Sequence, residues 1–235
     1  MTINKFIYDF KELTDKHGLS QDSGWNNRHI YNFLLKYRAK LLREKILKNM
    51  PISKFNYQTI SGIELVKDSA GILCPTEDCK IKKSKYALPT TILDFKSVNS
   101  SDGFTTYPYV DFDKIIYKQN SRFKSVASDS YYTLINNDSS GVLLCLVNDP
   151  NKESLSATGV FYDPLEAYRF TTCDETHNKT VAELASESFY MPIDPDYVST
   201  VYSLAISELL RFKSTNSDTI NQSLDDIISN QNVNK

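Results

Sequence analysis

The run Tyr131-Tyr132-Thr133-Leu134-Ile135, the cluster Asn136-Asn137-Asp138-Ser139-Ser140-Gly141 and the run Val142-Leu143-Leu144-Cys145-Leu146-Val147 set the texture of the middle of the chain. Two short apolar runs lie on either side of turn-forming residues, the pattern of brief strands between polar turns. Working outward, the same texture holds from Phe55 to about Tyr162. Tyr57 to Val66, Ile92 to Val98, Lys114 to Lys118 and Thr158 to Tyr162 are further strand candidates. Between them fall turn clusters such as Asn99-Ser100-Ser101-Asp102-Gly103 and Asn148-Asp149-Pro150-Asn151. Strands this short, joined this way, imply an antiparallel sheet or small sandwich and disfavour parallel nucleotide-binding folds.

Both ends of the chain read as helical. Ile3, Phe6, Ile7, Phe10 and Leu13 recur at helical spacing, with His17-Gly18 as a stop. A longer helix is expected from about Trp25 to Asn49, with Ile30, Phe33, Leu34, Tyr37 and Leu41 as its apolar stripe and Pro51 ending it. Past the β-like region, a short helix is expected from about Thr180 to Phe189. Asp194-Pro195 then pairs an N-cap with proline at the first helical position, ahead of Val198, Val201, Tyr202, Ala205 and Leu209. Ser217-Asp218 opens a last helix carrying Ile220, Leu224, Ile227 and Ile228. Single apolar stripes at both ends bury most simply against each other. The expected fold is therefore α+β: a helical bundle formed by the N- and C-terminal helices (1–54 and 174–235) with an inserted antiparallel β-rich region (55–173).

Composition bounds the function. The 235 residues are 40% hydrophobic and 24% charged with a net charge of −2, the balance of an ordinary globular protein. No apolar run approaches the roughly 20 residues of a membrane helix, and the start, Met1 to Phe6, lacks a signal-peptide core, so the protein is expected to stay where it is made. Only seven glycines leave no Gly-rich phosphate loop, while 15 tyrosines and 12 phenylalanines give amphipathic surface suited to interfaces.

Few constellations could carry chemistry. Cys74 and Cys79 have a C-x4-C spacing that could clip a zinc, with Cys173 and His177 as a second pair. The two pairs lie nearly a hundred residues apart, so reduced structural thiols are the expected reading, with no metal and no cofactor. The acid pairs Asp111/Asp113, Asp194/Asp196 and Asp225/Asp226 invite a glycosidase or nuclease reading, but Asp194 is already a cap. No nucleophile, base and orienter can be assembled, so no enzyme is expected.

Charge is distributed unevenly. Between Arg28 and Lys54 stand eight Lys/Arg, among them Lys36, Arg43 and Lys48, against the single acid Glu44, whereas the chain from Asp174 onward is acidic. These could be two solvated faces, or complementary surfaces within a subunit or between neighbours. Contact of the basic helix with DNA is a third reading, weakened by the near-neutral chain. Arg28, Lys36, Arg43, Lys48, Ile220, Leu224, Ile227 and Ile228 are accordingly the candidate interface residues.

The order helix pair, β-region, helix pair resembles the head-to-tail adaptor (tail tubular) proteins of short-tailed phages. Ser188-Phe189-Tyr190-Met191-Pro192, ahead of the Ala205-bearing helix, is similar to their Phe-x-x-hydrophobic-Pro segment. A nearer likeness, to the ring proteins of crAss-like phages, is carried by Arg38-Ala39-Lys40-Leu41-Leu42, Phe55-Asn56-Tyr57-Gln58-Thr59-Ile60, the Cys74 to Cys79 stretch, Leu88-Pro89 and Gly159-Val160-Phe161-Tyr162-Asp163-Pro164. The resemblance implies a non-enzymatic virion protein of the neck or tail, assembled in the host cytoplasm. It further implies a ring of twelve copies beneath the portal protein, touching the next tail or ring protein and lining a DNA channel, without a membrane. The alternative drawn from the tyrosines is a carbohydrate- or protein-binding module of a phage tail.

Overall fold

A computed structural model describes residues 1–16, 27–67, 81–93, 95–119, 129–137, 141–171 and 189–211. The chain divides into two compact units, Ser53–Asn178 and the pair of segments Met1–Ile52 with Lys179–Lys235.

The Ser53–Asn178 unit is built on a seven-stranded antiparallel sheet: β1 (Gln58–Lys67), β2 (Ile81–Ser84), β3 (Ser97–Ser100), β4 (Thr106–Tyr107), β5 (Tyr131–Asn137), β6 (Gly141–Val147) and β7 (Ser154–Gly159). Their spatial order is β4-β3-β7-β1-β2-β6-β5. The two outer strands meet just past β4, where Tyr109 bridges Tyr132. Tyr132 N donates to Pro108 O at 3.0 Å and Val110 N donates to Tyr132 O at 2.9 Å. The sheet therefore curls into a nearly closed barrel and covers part of its own edges. A register shift between Ile60 and Ile63 supplies curvature, and Gly62 takes φ 71° there, a conformation side-chain-bearing residues rarely adopt.

The barrel encloses its own core: Ile60, Ile63, Leu65, Val98, Tyr107, Tyr132, Leu144, Leu146, Leu155 and Ala157 from the strands, with Leu88, Phe95, Phe161 and Ala167 closing it. β7 alternates buried and half-buried positions, as a one-sided strand should. β6 is buried on both faces from Leu143 to Val147. Leu144 and Leu146 point into the barrel, while Cys145 and Val147 pack with Ile81, Ile115 and Tyr131 in a second cluster. That two-sided burial is why Val142 to Val147 reads as an unbroken apolar run.

The expected fold, a helical bundle carrying a β-insert, is thus corrected. The organising element is the antiparallel, nearly closed sheet, which has an interior and a core cluster of its own. Individual elements differ too. Lys114 to Lys118, expected as a strand, forms a 3₁₀ turn (Phe112–Lys114) running into helix α3 (Ile115–Gln119). Ile115 is buried and Tyr117 is 80% exposed, so the segment offers no alternating face, and the chain at 108–110 already occupies the adjacent sheet edge. Of Ile92 to Val98 only the end joins β3, and Thr158 to Tyr162 is strand only to Gly159. Helix α4 (Pro164–Thr171) follows, with Leu165 N bonded to Asp163 Oδ1 at 2.9 Å.

In the other unit lie helix α1 (Ile3–Lys16), helix α2 (Asn27–Leu47) and helix α5 (residues 195–211). α1 buries Ile3, Phe6, Ile7 and Phe10 at helical spacing. The Tyr202 ring on α5 stands 5.1 Å from Phe6 and 5.7 Å from Phe10, and its hydroxyl donates to Phe6 O at 2.8 Å. α2 buries Ile30, Tyr31, Leu34, Leu35, Tyr37, Ala39 and Leu42, leaving the expected Phe33 and Leu41 at the half-buried margin. α5 starts where Asp194-Pro195 indicates, and Asp194 Oδ1 accepts the Asp196 amide at 3.2 Å. The expected helices at 180–189 and from 218 lie outside the described residues, residue 189 excepted, and residue 189 is not helical.

Candidate functional site

α2 carries the basic residues expected at an interface. Arg28, Lys36, Arg43 and Lys48 are all exposed on it or just past its end, as the helix's buried positions require. Arg38, from the same basic stretch, is different: it is 1% exposed and its Nε donates to Pro192 O at 3.0 Å. Part of the basic character therefore belongs to the core. Among the described residues, α2 and α5 share an ion pair, where Lys36 Nζ lies 3.0 Å from Glu208 Oε1. Close by in the fold, Lys45 Nζ stands 3.3 Å from the centre of the Tyr197 ring. The ion pair is largely exposed and contributes little to stability on its own.

Ile220, Leu224, Ile227 and Ile228, the apolar half of the expected interface, lie outside the described residues, as do Cys74, Cys79, Cys173 and His177. Cys145 is buried, packed with Ile81, Ile115, Tyr131 and Val147. Among the described residues no group of three or more His, Cys, Asp or Glu is placed to hold a metal. Asp111 pairs with Lys114 at 2.5 Å, and Asp194 caps α5, so two of the acid pairs are accounted for by local structure.

The β3–β4 turn is tied down by a dense set of hydrogen bonds. Ser100 N bonds to Thr105 O and Gly103 N to Ser100 O, each at 2.8 Å. Asp102 works from its centre. Its Oδ1 accepts the Ser100 hydroxyl and, at 3.0 Å, the Phe104 amide, while its Oδ2 accepts Lys152 Nζ at 2.9 Å. The Ser100 hydroxyl, the lysine and the Phe104 amide together hold the Asp102 carboxyl at about 2, below its usual 3.8. Thr105 N bonds back to Ser100 Oγ at 3.1 Å, and Ser101 Oγ donates to Ser154 O at 2.6 Å. Gly103 turns the chain with φ 76°. Beneath, the buried Tyr107 hydroxyl donates to Asp149 Oδ2 at 2.8 Å, and burial followed by that contact pushes the phenol's pKa up. On this stiff turn Phe104 is 92% exposed. Sequence reasoning marks the turn through Asp102-Gly103 but misses Phe104, because an apolar residue after a turn reads as the start of a buried strand.

A family described as phage tail ring protein 2 matches residues 5–227 of the chain. The chain is also similar to Ring protein 2 of Bacteroides phage crAss001, at 27% identity over 240 residues, which cover 97% of this chain and 98% of the relative. The family match runs through both compact units, over the barrel and the terminal helices alike. The chain therefore belongs to the phage tail ring proteins of crAss-like phages and is a structural, tail-related virion protein rather than an enzyme.

Proposed function

We propose that the protein is one subunit of a head-to-tail connector ring of twelve copies, seated below the portal, linking capsid to tail and forming part of the channel through which DNA passes. The observation that carries this reading is the family match over residues 5–227. The surface supports it: an exposed cationic stretch on α2 and an exposed aromatic residue on a hydrogen-bonded turn of the barrel suit a protein working through contacts with other chains. No helix among the described residues is long and apolar enough to cross a membrane.

Polarity follows from chain chemistry. The last segment carries Ile220, Leu224, Ile227 and Ile228 at the spacing of an apolar helical stripe, and a helix that short would have to dock on a partner to persist. Portal binding is assigned to it, and contact with the next tail or ring protein to the turns at Ser100 to Gly103 and Asn136 to Gly141. Deleting the chain after Thr215 should leave a folded subunit that no longer joins the portal. Deleting the turn at Asn136 to Gly141 should preserve portal binding and impair attachment of the next tail component. Pull-down of each variant against portal and tail proteins checks this, and retained portal binding by the first with loss by the second would invert the polarity.

A further inference from the structure

We infer that the outer face of α2 is the subunit's contact with the phosphate backbone of double-stranded DNA, made by Arg28, Lys40 and Arg43. This rests on the ring reading above and names the surface that would face the DNA path. The exposed residues Arg28, Asn32, Lys36, Lys40, Arg43 and Glu44 follow one another at three- and four-residue steps, so they stack along one side of the helix. At the rise of an α-helix, Arg28 to Arg43 spreads the stripe over about 22 Å. The opposite side is fixed: Leu34, Leu35 and Leu42 are buried, and Arg38 is bonded to Pro192 O. The cations are thus set out along a firmly held helix before any ligand arrives.

Two features separate this face from the other charged surfaces. On the barrel, four lysines are taken up locally: Lys85 by Glu64, Lys114 by Asp111, Lys152 by Asp102, and Lys82 by the Lys152 carbonyl. On α2, Lys36 meets Glu208, whereas Lys40 and Arg43 stand outside every ion pair of the described residues. Between residues 27 and 52, seven Lys/Arg stand against the single acid Glu44, in a chain whose net charge is −2. Positive potential is therefore concentrated on this helix and orients a polyanion toward it. The stripe also lacks what a protein partner needs. None of its six residues is apolar, so it offers no apolar centre to bury, whereas a phosphate backbone is held by charge. Contacts of that kind read no sequence and let DNA slide, as a channel through which a whole genome passes requires.

The test is fluorescence anisotropy of a labelled random-sequence DNA duplex, titrated with the full-length chain between about 50 and 200 mM salt. Binding should be indifferent to sequence and weaken steeply as salt rises. Arg28→Gln, Lys40→Gln and Arg43→Gln combined should leave the melting temperature unchanged, because all three side chains are exposed. The same variant should weaken binding about tenfold or more at the low-salt end and reduce the slope of log affinity against log salt by about 3. Arg28→Lys with Arg43→Lys keeps the charges and should retain most of the binding. Failure of the native chain to bind the duplex at low salt, or an unchanged slope in the Gln variant, would overturn the inference. So would loss of the Gln variant from assembled particles with duplex binding unmoved, which would assign the stripe to a protein neighbour. Binding and slope as stated, in particles where the chain lies away from the portal–tail axis, would support the contact and sink the ring reading alone.

Discussion

Arg38 shows how one residue can mislead a reading of charge. In the sequence it is one of eight cations in a basic stretch; in the fold it is 1% exposed and bonded to Pro192 O. Long side chains at helix positions pack as well as carry charge, and periodicity places Arg38 among Leu34, Leu35 and Leu42 on the buried face. Arg38→Ala should destabilise the protein by about 2–4 kcal/mol in urea unfolding, through lost packing and an unmet carbonyl. A loss well below that would mean Arg38 does not anchor the 189–193 segment. Asp102 makes a pH-dependent prediction. Its carboxyl is depressed from 3.8 to about 2, so its ordering of the turn is fully present above the ordinary value and is lost as pH falls through about 2. Carboxyl titration followed by NMR should place Asp102 near 2, and Asp102→Asn should abolish that transition. If Cys74, Cys79, Cys173 and His177 hold no metal, chelator should not move the melting temperature. Stoichiometric zinc by metal analysis would make those four the ligands to mutate.

At the scale of the element, what was legible followed from how much of a segment's pattern its own contacts decide. The stripe of α1 and the Asp194-Pro195 start of α5 are local signals, and the structure uses them. Asp163-Pro164 carries the same signal and starts α4, though it follows so closely on a strand that the β texture hides it. β2 and β4, of four and two residues, are strands only because their neighbours pair with them, and nothing in Ile81 to Ser84 or Thr106-Tyr107 states that alone. The Ile115-bearing segment failed in the opposite sense: strong β propensity was overridden where the sheet edge was already taken. Gly159 ends β7 against the Phe95 ring, and a Cβ there would lie 3.0 Å from Phe95 Cδ1. Phe95 packs edge-on to Phe161 with centroids 6.1 Å apart, leaving little room to yield. Gly159→Ala should therefore cost about 1–3 kcal/mol by chemical denaturation. A neutral result would show that the two rings repack.

For the whole molecule, the sequence indicated the family and the non-enzymatic character but misjudged which part organises the fold. Two apolar helical stripes look like a scaffold when the closure of a sheet cannot be seen. That closure depends on the Tyr109–Tyr132 bridge and a bulge, neither of which has a sequence period. The candidate site was legible only as exposed charge on α2, since projection of Phe104 depends on a turn's hydrogen bonds rather than on composition. If the exposed cations help subunits associate, reversing Lys36, Arg43 and Lys48 together should weaken assembly more at low salt than at high salt. Part of any loss belongs to the internal Lys36–Glu208 pair, which Glu208→Gln measures separately. The most direct measurement of the central claim is cryo-electron microscopy of particles assembled from the full chain with its portal and tail partners. The account predicts a closed ring of twelve copies of this chain immediately below the portal, surrounding the DNA path. Density for the chain as an isolated subunit, or its placement away from the portal–tail axis, would contradict it.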